Sequence, residues 1–420
     1  MSFNRRLFLE LAVGSSAALA APLVMGKAKP RVVVIGGGAG GATAARYIAK
    51  DSKGAIDVTL VEPSRVYYSC FFSNLVLGGV RTMNSIAHSY GKLASAYGIN
   101  VVHDWAVGID RDTKTVTLAS GHKLSYDRLI LSPGIDFVDG AVAGWDVTKQ
   151  NKMPHAYKAG SQTELLKAQI EAMPKGGVFA MVAPPNPYRC PPGPYERVSM
   201  VAHLLKQKNP TAKIIVADPK AKFSKEALFR EAWDKHYPRM VEWIGPDFGG
   251  NKVAVDVDAM TISLDGQATK VDVCNVIPAM KAGRICELAG VNEGNWAPVS
   301  GHTMQSRKDK NVYVLGDATN QGDMPKSGFS ANSQAKVAAM SVRAELTGSR
   351  LFPAKFTNTC WSMVATDDGI KVGASYEATD EKIKSVGGFI SKTGESAELR
   401  KATFNESLGW YDGIVADIFG

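Results

Sequence analysis

Short β-branched runs alternate with helix-forming stretches along this chain, and the first run sets the pattern. Arg31-Val-Val-Val-Ile35 is followed by Gly36-Gly-Gly38-Ala-Gly40-Gly41 and then by Ala42-Thr-Ala-Ala-Arg46-Tyr-Ile48. The order predicts a buried parallel strand, a tight turn and a helix. A second strand, Ile56-Asp-Val-Thr-Leu-Val61, ends in Glu62. Beyond it the pattern predicts a helical stretch near Ser85 to Tyr97, a strand Ile99 to His103, and a hairpin of Ala106–Ile109 with Thr115–Leu118. Tyr126-Asp127-Arg-Leu-Ile-Leu-Ser132 is an apolar strand closed by Pro133-Gly134. Gly177 to Ala183 and Lys213 to Ala217 read as strands with a helix, Ser199 to Gln207, between them. Asn311-Val-Tyr-Val-Leu-Gly316-Asp317-Ala318 is another strand, with Asp317 at its end, and Met324 to Val337 opens a further helix. This alternation predicts an α/β fold built on parallel sheets.

The glycines carry the first chemistry. In a strand–turn–helix setting, Gly36 permits the turn, Gly38 lets a pyrophosphate approach the backbone, and Gly41 lets the helix pack on the strand. The helix N-terminus then holds phosphate charge. Glu62 stands about twenty residues past the glycines, where a ribose-binding carboxylate belongs. The second half-site differs. After Gly177–Ala183 the loop reads Pro184-Pro-Asn-Pro187-Tyr-Arg189-Cys190-Pro-Pro-Gly193-Pro-Tyr-Glu196-Arg197. Prolines remove amide donors and block close approach of a phosphate, so this half is expected not to bind NAD.

The 420 residues allow two or three domains. An apolar share of 45% and a charged share of 21% exclude a disordered or membrane-spanning chain. The net charge of +9 comes from scattered Lys and Arg, which argues against nucleic-acid binding. Asn4-Arg5-Arg6-Leu7-Phe8-Leu9-Glu10 resembles a twin-arginine export signal, so residues 1–30 are expected to be a targeting segment and the mature protein periplasmic. No later run is long and apolar enough for an integral membrane span. The seven histidines and five cysteines lack metal-ligand spacing, so no metal is expected. Cys70, Cys190, Cys274, Cys286 and Cys360 leave an odd thiol in any disulfide scheme.

Tyr-Tyr-Ser-Cys70, Arg-Cys190-Pro-Pro-Gly-Pro-Tyr-Glu196-Arg, Met-Pro-Lys326-Ser327-Gly328 and Asn-Thr-Cys360 together resemble the flavoprotein subunit family of flavocytochrome c sulfide dehydrogenase. That family belongs to the disulfide-reductase-like flavoproteins, with sulfide:quinone oxidoreductases beside it. The resemblance implies two Rossmann-like domains and a C-terminal interface domain. FAD would be bound by residues 31–144 and 283–350, an NAD-domain-like insert without its NAD site would occupy 145–282, and 351–420 would face the flavin and a cytochrome. It further implies covalent FAD on Cys70, Asp317 at the ribityl chain, and a helix opened at Ser327 and Gly328 that points at the flavin ring. Cys190 and Cys360 would form a redox-active disulfide. Hydrosulfide would attack Cys190 and free Cys360, which passes two electrons to the flavin. Glu196 would be a proton acceptor or electrostatic partner, and Lys326 would stabilise reduced flavin. A c-type cytochrome subunit would take the electrons, since the chain has no haem attachment motif. Cys274 and Cys286 would be buried apolar residues or, less simply, a second disulfide. The competing expectations are a sulfide:quinone oxidoreductase and a non-catalytic cytochrome-binding scaffold.

Overall fold

The computed structural model describes residues 28–420. All but the last three residues of the expected export segment lie outside this range. Among the described residues no helix is long and apolar enough to cross a membrane.

Two parallel sheets organise the chain. The first has six strands in the order 305–306, 309–314, 128–131, 31–35, 57–61 and 100–102, parallel except for the short edge strand 305–306. Val32 to Val34 are at most 2% exposed, as expected of a central strand covered on both faces. Helices Ala39–Ser52 and Gly328–Thr347 pack against one another on this sheet. Small residues on both let the backbones approach closely: a Cβ at Gly40 would meet the Ala331 methyl at 3.6 Å. The second sheet runs 241–244, 213–217, 178–182 and 273–276, all parallel. Ile135–Phe137 pairs antiparallel with Met280–Ala282, tying the outgoing and returning chain together between the two sheets.

The C-terminal part adds an antiparallel sheet, Lys355–Ala365, Asp368–Ala378 and Ile383–Ile390, and a 23-residue helix, Ala397–Phe419. The sequence pattern gave no sign of this helix, because Arg400, Thr403 and Ser407 interrupt its buried face and Gly409 and Gly413 lower its helix propensity. Tertiary bonds hold it instead: Asp417 receives Tyr47 (2.6 Å), Lys336 (2.7 Å) and Asn332 (2.9 Å), and Arg46 donates to its carbonyl (2.8 Å).

Two predicted elements need correction. The segment expected as one helix near Ser85–Tyr97 begins as a 3₁₀ turn and a strand, Ala87–Ser89, paired with Val66–Tyr68; its helix starts only at Gly91. The helix expected over Ser199–Gln207 begins six residues earlier, at Gly193. Pro192 caps it and Pro194 sits in its first turn, where a missing N–H costs nothing and a fixed φ favours the helix. The end of the proline loop is thus itself the helix start.

Candidate functional site

A cleft of about 1390 Å³, its solvent-filled mouth included, lies where the three parts of the chain meet. The glycine turn forms one wall. Gly36 has φ +101°, and a methyl there would sit 2.3 Å from the Ser132 carbonyl oxygen. At Gly41 the corresponding methyl would sit 1.8 Å from the Gly36 carbonyl, so only glycine lets helix Ala39–Ser52 close on its strand. Gly38 caps that helix and lines the cleft, as does Glu62, whose Oε2 accepts from the Gly37 amide at 2.8 Å.

Cys70, Cys190 and Cys360, remote in sequence, line the same cleft. Cys70 precedes a helical turn, its carbonyl bonded by the Ser73 hydroxyl at 2.6 Å. Cys190 has φ +57°, an uncommon conformation for a residue with a side chain. It persists because the Cys190 amide donates to the Lys326 carbonyl (2.6 Å) and its own carbonyl accepts from Gly193 (2.7 Å). Cys360 lies on strand Lys355–Ala365, and the Asn358 side-chain amide donates to its sulfur at 3.4 Å. The Ser327 hydroxyl donates to the Asn358 carbonyl oxygen at 2.5 Å, so the start of helix Gly328–Thr347 is wired to Cys360. Burial raises both thiol pKa values, each against the pull of the Lys225 ammonium, and for Cys360 against the Asn358 bond too. All five cysteines are free thiols in this structure, so the expected bond between Cys190 and Cys360 is not formed here. Cys274 and Cys286 sit in separate cores, which removes a second disulfide as a reading.

Glu196 does not stand on a surface loop. It is 8% exposed in helix Gly193–Lys208 and lines the cleft, accepting from the Asn74 amide (2.8 Å) and the Met363 backbone (2.9 Å). Burial raises its pKa, with those bonds opposing. Lys326, expected at the flavin, does not line the cleft. Its ammonium bonds the Asp317 carbonyl (2.9 Å) and the Thr319 carbonyl (2.5 Å) and lies over the Trp296 ring. Those bonds fix the turn Gly316–Ala318 that presents Asp317 to the cleft.

Several residues at the site had no signal in the sequence pattern. Arg197 is fully buried and bonds Asn74, Asn275 and the carbonyls of His155 and Ala156. This fixes the loop carrying Tyr157, whose hydroxyl donates to the Arg189 carbonyl at 2.8 Å. Lys225 reaches the Cys360 carbonyl from the second sheet's domain. In the second half, Asp218 at the end of strand Lys213–Ala217 is buried under Tyr195 (2.6 Å), Lys220 (2.7 Å) and Trp243 (3.0 Å).

The cleft fits FAD on its own chemistry. Asp317 Oδ1 and Arg189 Nη2 are buried without partners on its wall, 12% exposed as side chains, and Gly36, Gly38 and Gly40 line it with bare backbone. Gly36, Gly38 and the helix start behind them would hold the pyrophosphate, Glu62 the ribose and Asp317 the ribityl hydroxyls. Ser327 and Gly328 would set the positive end of their helix at the flavin ring.

Residues 163–278 match the family model described as sulfide dehydrogenase (flavocytochrome c) flavoprotein chain, central. Residues 353–419 match flavocytochrome c sulphide dehydrogenase, flavin-binding, and 30–164 match pyridine nucleotide-disulphide oxidoreductase. The flavoprotein chain of sulfide dehydrogenase from Chlorobaculum thiosulfatiphilum is 54% identical over 46 residues, 11% of this chain and 94% of that sequence. The chain belongs to the flavocytochrome c sulfide dehydrogenase flavoprotein family. Mitochondrial sulfide:quinone oxidoreductase of Mus musculus is 24% identical over 310 residues, 69% of this chain and 65% of the mouse protein, just under two thirds of that relative. The solved sulfide:quinone oxidoreductase of Aquifex aeolicus superposes with a TM-score of 0.68 at 19% identity, over 93% of this chain and 92% of that one. The flavocytochrome family thus shares its disulfide-reductase-like α/β fold with quinone-reducing relatives.

Proposed function

We propose that this chain is the flavin-bearing subunit of a periplasmic sulfide dehydrogenase, oxidising hydrosulfide through Cys190 and Cys360 and delivering the electrons to a c-type cytochrome. The observation that carries this reading is the convergence of Cys70, Cys190 and Cys360 on one FAD-fitting cleft. Cys70 is the attachment point for the cofactor. Bound FAD supplies an acceptor for an electron pair that can be given up singly to a haem.

In the oxidised pair the two sulfurs are bonded. Hydrosulfide attacks Cys190, forming a persulfide there, and the electron pair of the broken bond leaves on Cys360. The better leaving thiol is the one whose thiolate is stabilised, and Cys360 has the Asn358 amide on its sulfur. Tyr157 and Arg197 keep the Cys190 backbone in place during the exchange. Buried Glu196, beside both sulfurs, is positioned to influence protonation of the persulfide. A further sulfide or thiol takes the outer sulfur from Cys190, and the freed Cys190 thiolate re-forms the bond to Cys360, releasing an electron pair that FAD held in the cleft would accept.

NAD has no place in this scheme. The second half has a proline loop, and Asp218, at the strand end where a ribose acid would act, is covered by Tyr195 and Trp243. Likeness to the mouse enzyme favours quinone as the rival acceptor. Anaerobic mixing of the flavin-loaded protein with sulfide tests the reading: the flavin absorbance bleaches, and Cys190→Ser or Cys360→Ser abolishes it. Reoxidation by a c-type cytochrome supports the proposal, and reoxidation by a quinone analogue alone overturns the acceptor.

A further inference from the structure

Lys225 carries a buried ammonium that has no task in the exchange just described. It caps helix Glu226–His236 with φ +60° and is 5% exposed. Its side chain crosses from the second sheet's domain to the C-terminal strand, where Nζ donates to the Cys360 carbonyl (3.0 Å) and to Ser362 Oγ (2.8 Å). Both partners are neutral, and among the described residues no carboxylate comes within ion-pair distance of it. A buried cation bonded only to neutral oxygens is costly, and neither oxygen requires a charged donor.

We propose that Lys225 is the fixed counter-charge for the thiolate released on Cys360 when its bond to Cys190 is opened. The inference rests on the sulfide reading for its substrate, but concerns the charge at the thiol pair itself. The step makes the need explicit. Hydrosulfide enters with one negative charge, its sulfur bonds to Cys190, and the Cys190–Cys360 bond breaks. The proton stays on the terminal sulfur of the persulfide, and the charge appears on Cys360. The Lys225 ammonium is already bonded to the backbone of the same residue and needs no rearrangement to face that charge.

The other ionisable groups facing the sulfurs do not serve this purpose. Glu196 adds negative charge, and Tyr157, Tyr188 and Tyr376 stay neutral because burial raises them. Arg189 pairs with Asp317, and Arg197 is spent on the carbonyls of another loop. An opposite charge nearby lowers a thiol pKa by about 1–3 units. Burial holds the Lys225 ammonium down to about 8, with Cys360, Glu196 and Cys190 pulling it back up.

The test uses the full-length reduced protein and needs neither sulfide nor turnover. Iodoacetamide alkylation of Cys190 and Cys360 is followed by peptide mass spectrometry across pH in wild type, Lys225→Met, Lys225→Gln and Lys225→Arg. The neutral variants are expected to shift the Cys360 midpoint up by about one pH unit, a tenfold slowing at fixed pH below it. Arginine keeps the midpoint near wild type. A neutral variant with an unchanged midpoint overturns the proposal, as does arginine shifting it as far as methionine does. If both neutral variants fail to fold while arginine folds, the arginine midpoint decides: a match to wild type supports the counter-charge, and a large upward shift refutes it. Failure of sulfide to bleach the wild-type flavin would sink the sulfide reading and leave this result standing.

Discussion

Arg197→Met would remove the hub that fixes the cysteine loop. The guanidinium donates to Ala156 O (2.6 Å), Asn275 Oδ1 (2.9 Å), Asn74 Oδ1 (3.1 Å) and His155 O (3.1 Å). His155 O keeps a second donor, the Asn275 amide at 2.8 Å. Three buried acceptors are therefore orphaned, at about 2 kcal/mol each. Burial holds the Arg197 pKa down to about 10, which corresponds to roughly 3 kcal/mol of charge penalty that methionine relieves. The balance is a loss of about 3 kcal/mol. At ~2 °C per kcal/mol for a chain of this size, the melting temperature should fall by about 6 °C. Scanning calorimetry of flavin-loaded wild type and variant at neutral pH reads it directly. Because Arg197 anchors the loop that seats Tyr157 against the Cys190 backbone, sulfide-dependent bleaching should slow as well. A variant melting within about 1 °C of wild type would mean that this network does not carry the load assigned to it.

Three further outcomes follow from the same contacts. Gly41→Ala puts a methyl 1.8 Å from the Gly36 carbonyl, so the purified variant should retain little flavin by its absorbance ratio; full flavin content would contradict the packing role. His155 is kept neutral by burial and the nearby Lys158, its pKa pushed down to about 3. The unfolded histidine protonates near 6.5, so its contribution is complete above that pH and is lost as pH falls from about 6.5 toward 3. His155→Gln should flatten the fall of melting temperature across that window, and an unaltered slope counts against it. Cys274 and Cys286, both pushed up to about 12 by burial, should resist alkylation in the native protein at pH 8; modification as fast as at Cys190 would show that their cores open.

What the sequence made legible was local or already carried by family motifs. Gly36, Gly38, Gly41 and Glu62 announce themselves because a strand, a turn, a helix and a second strand occur in one order. Asp317 is legible because it ends an apolar strand. Cys70, Cys190 and Cys360 came from resemblance, since nothing in their spacing of more than a hundred residues brings them together. Lys225 and Asn74 were invisible for the opposite reason: each works across a domain boundary, and no local pattern marks a side chain that reaches over one. Arg197 stood in a family motif, but its role rests on His155, Ala156 and Asn275, which the sequence does not place beside it. Lys326 shows the reverse failure. Its neighbours Ser327 and Gly328 line the cleft, but the lysine turns back onto the carbonyls that hold Asp317. The helix after the proline loop starts six residues before the position its pattern suggested, because proline in a first turn begins a helix as readily as it ends one.

Sulfur transfer at Cys190 and Cys360 is the step on which sulfide oxidation by this chain depends. Air-oxidised, denatured protein should yield a peptide linking Cys190 to Cys360. After one equivalent of sulfide without air and trapping with an alkylating agent, mass spectrometry should find an extra sulfur on the Cys190 peptide and a free, alkylated Cys360. If both cysteines alkylate fully in the air-oxidised protein, or sulfide leaves the linked peptide untouched, the exchange does not occur.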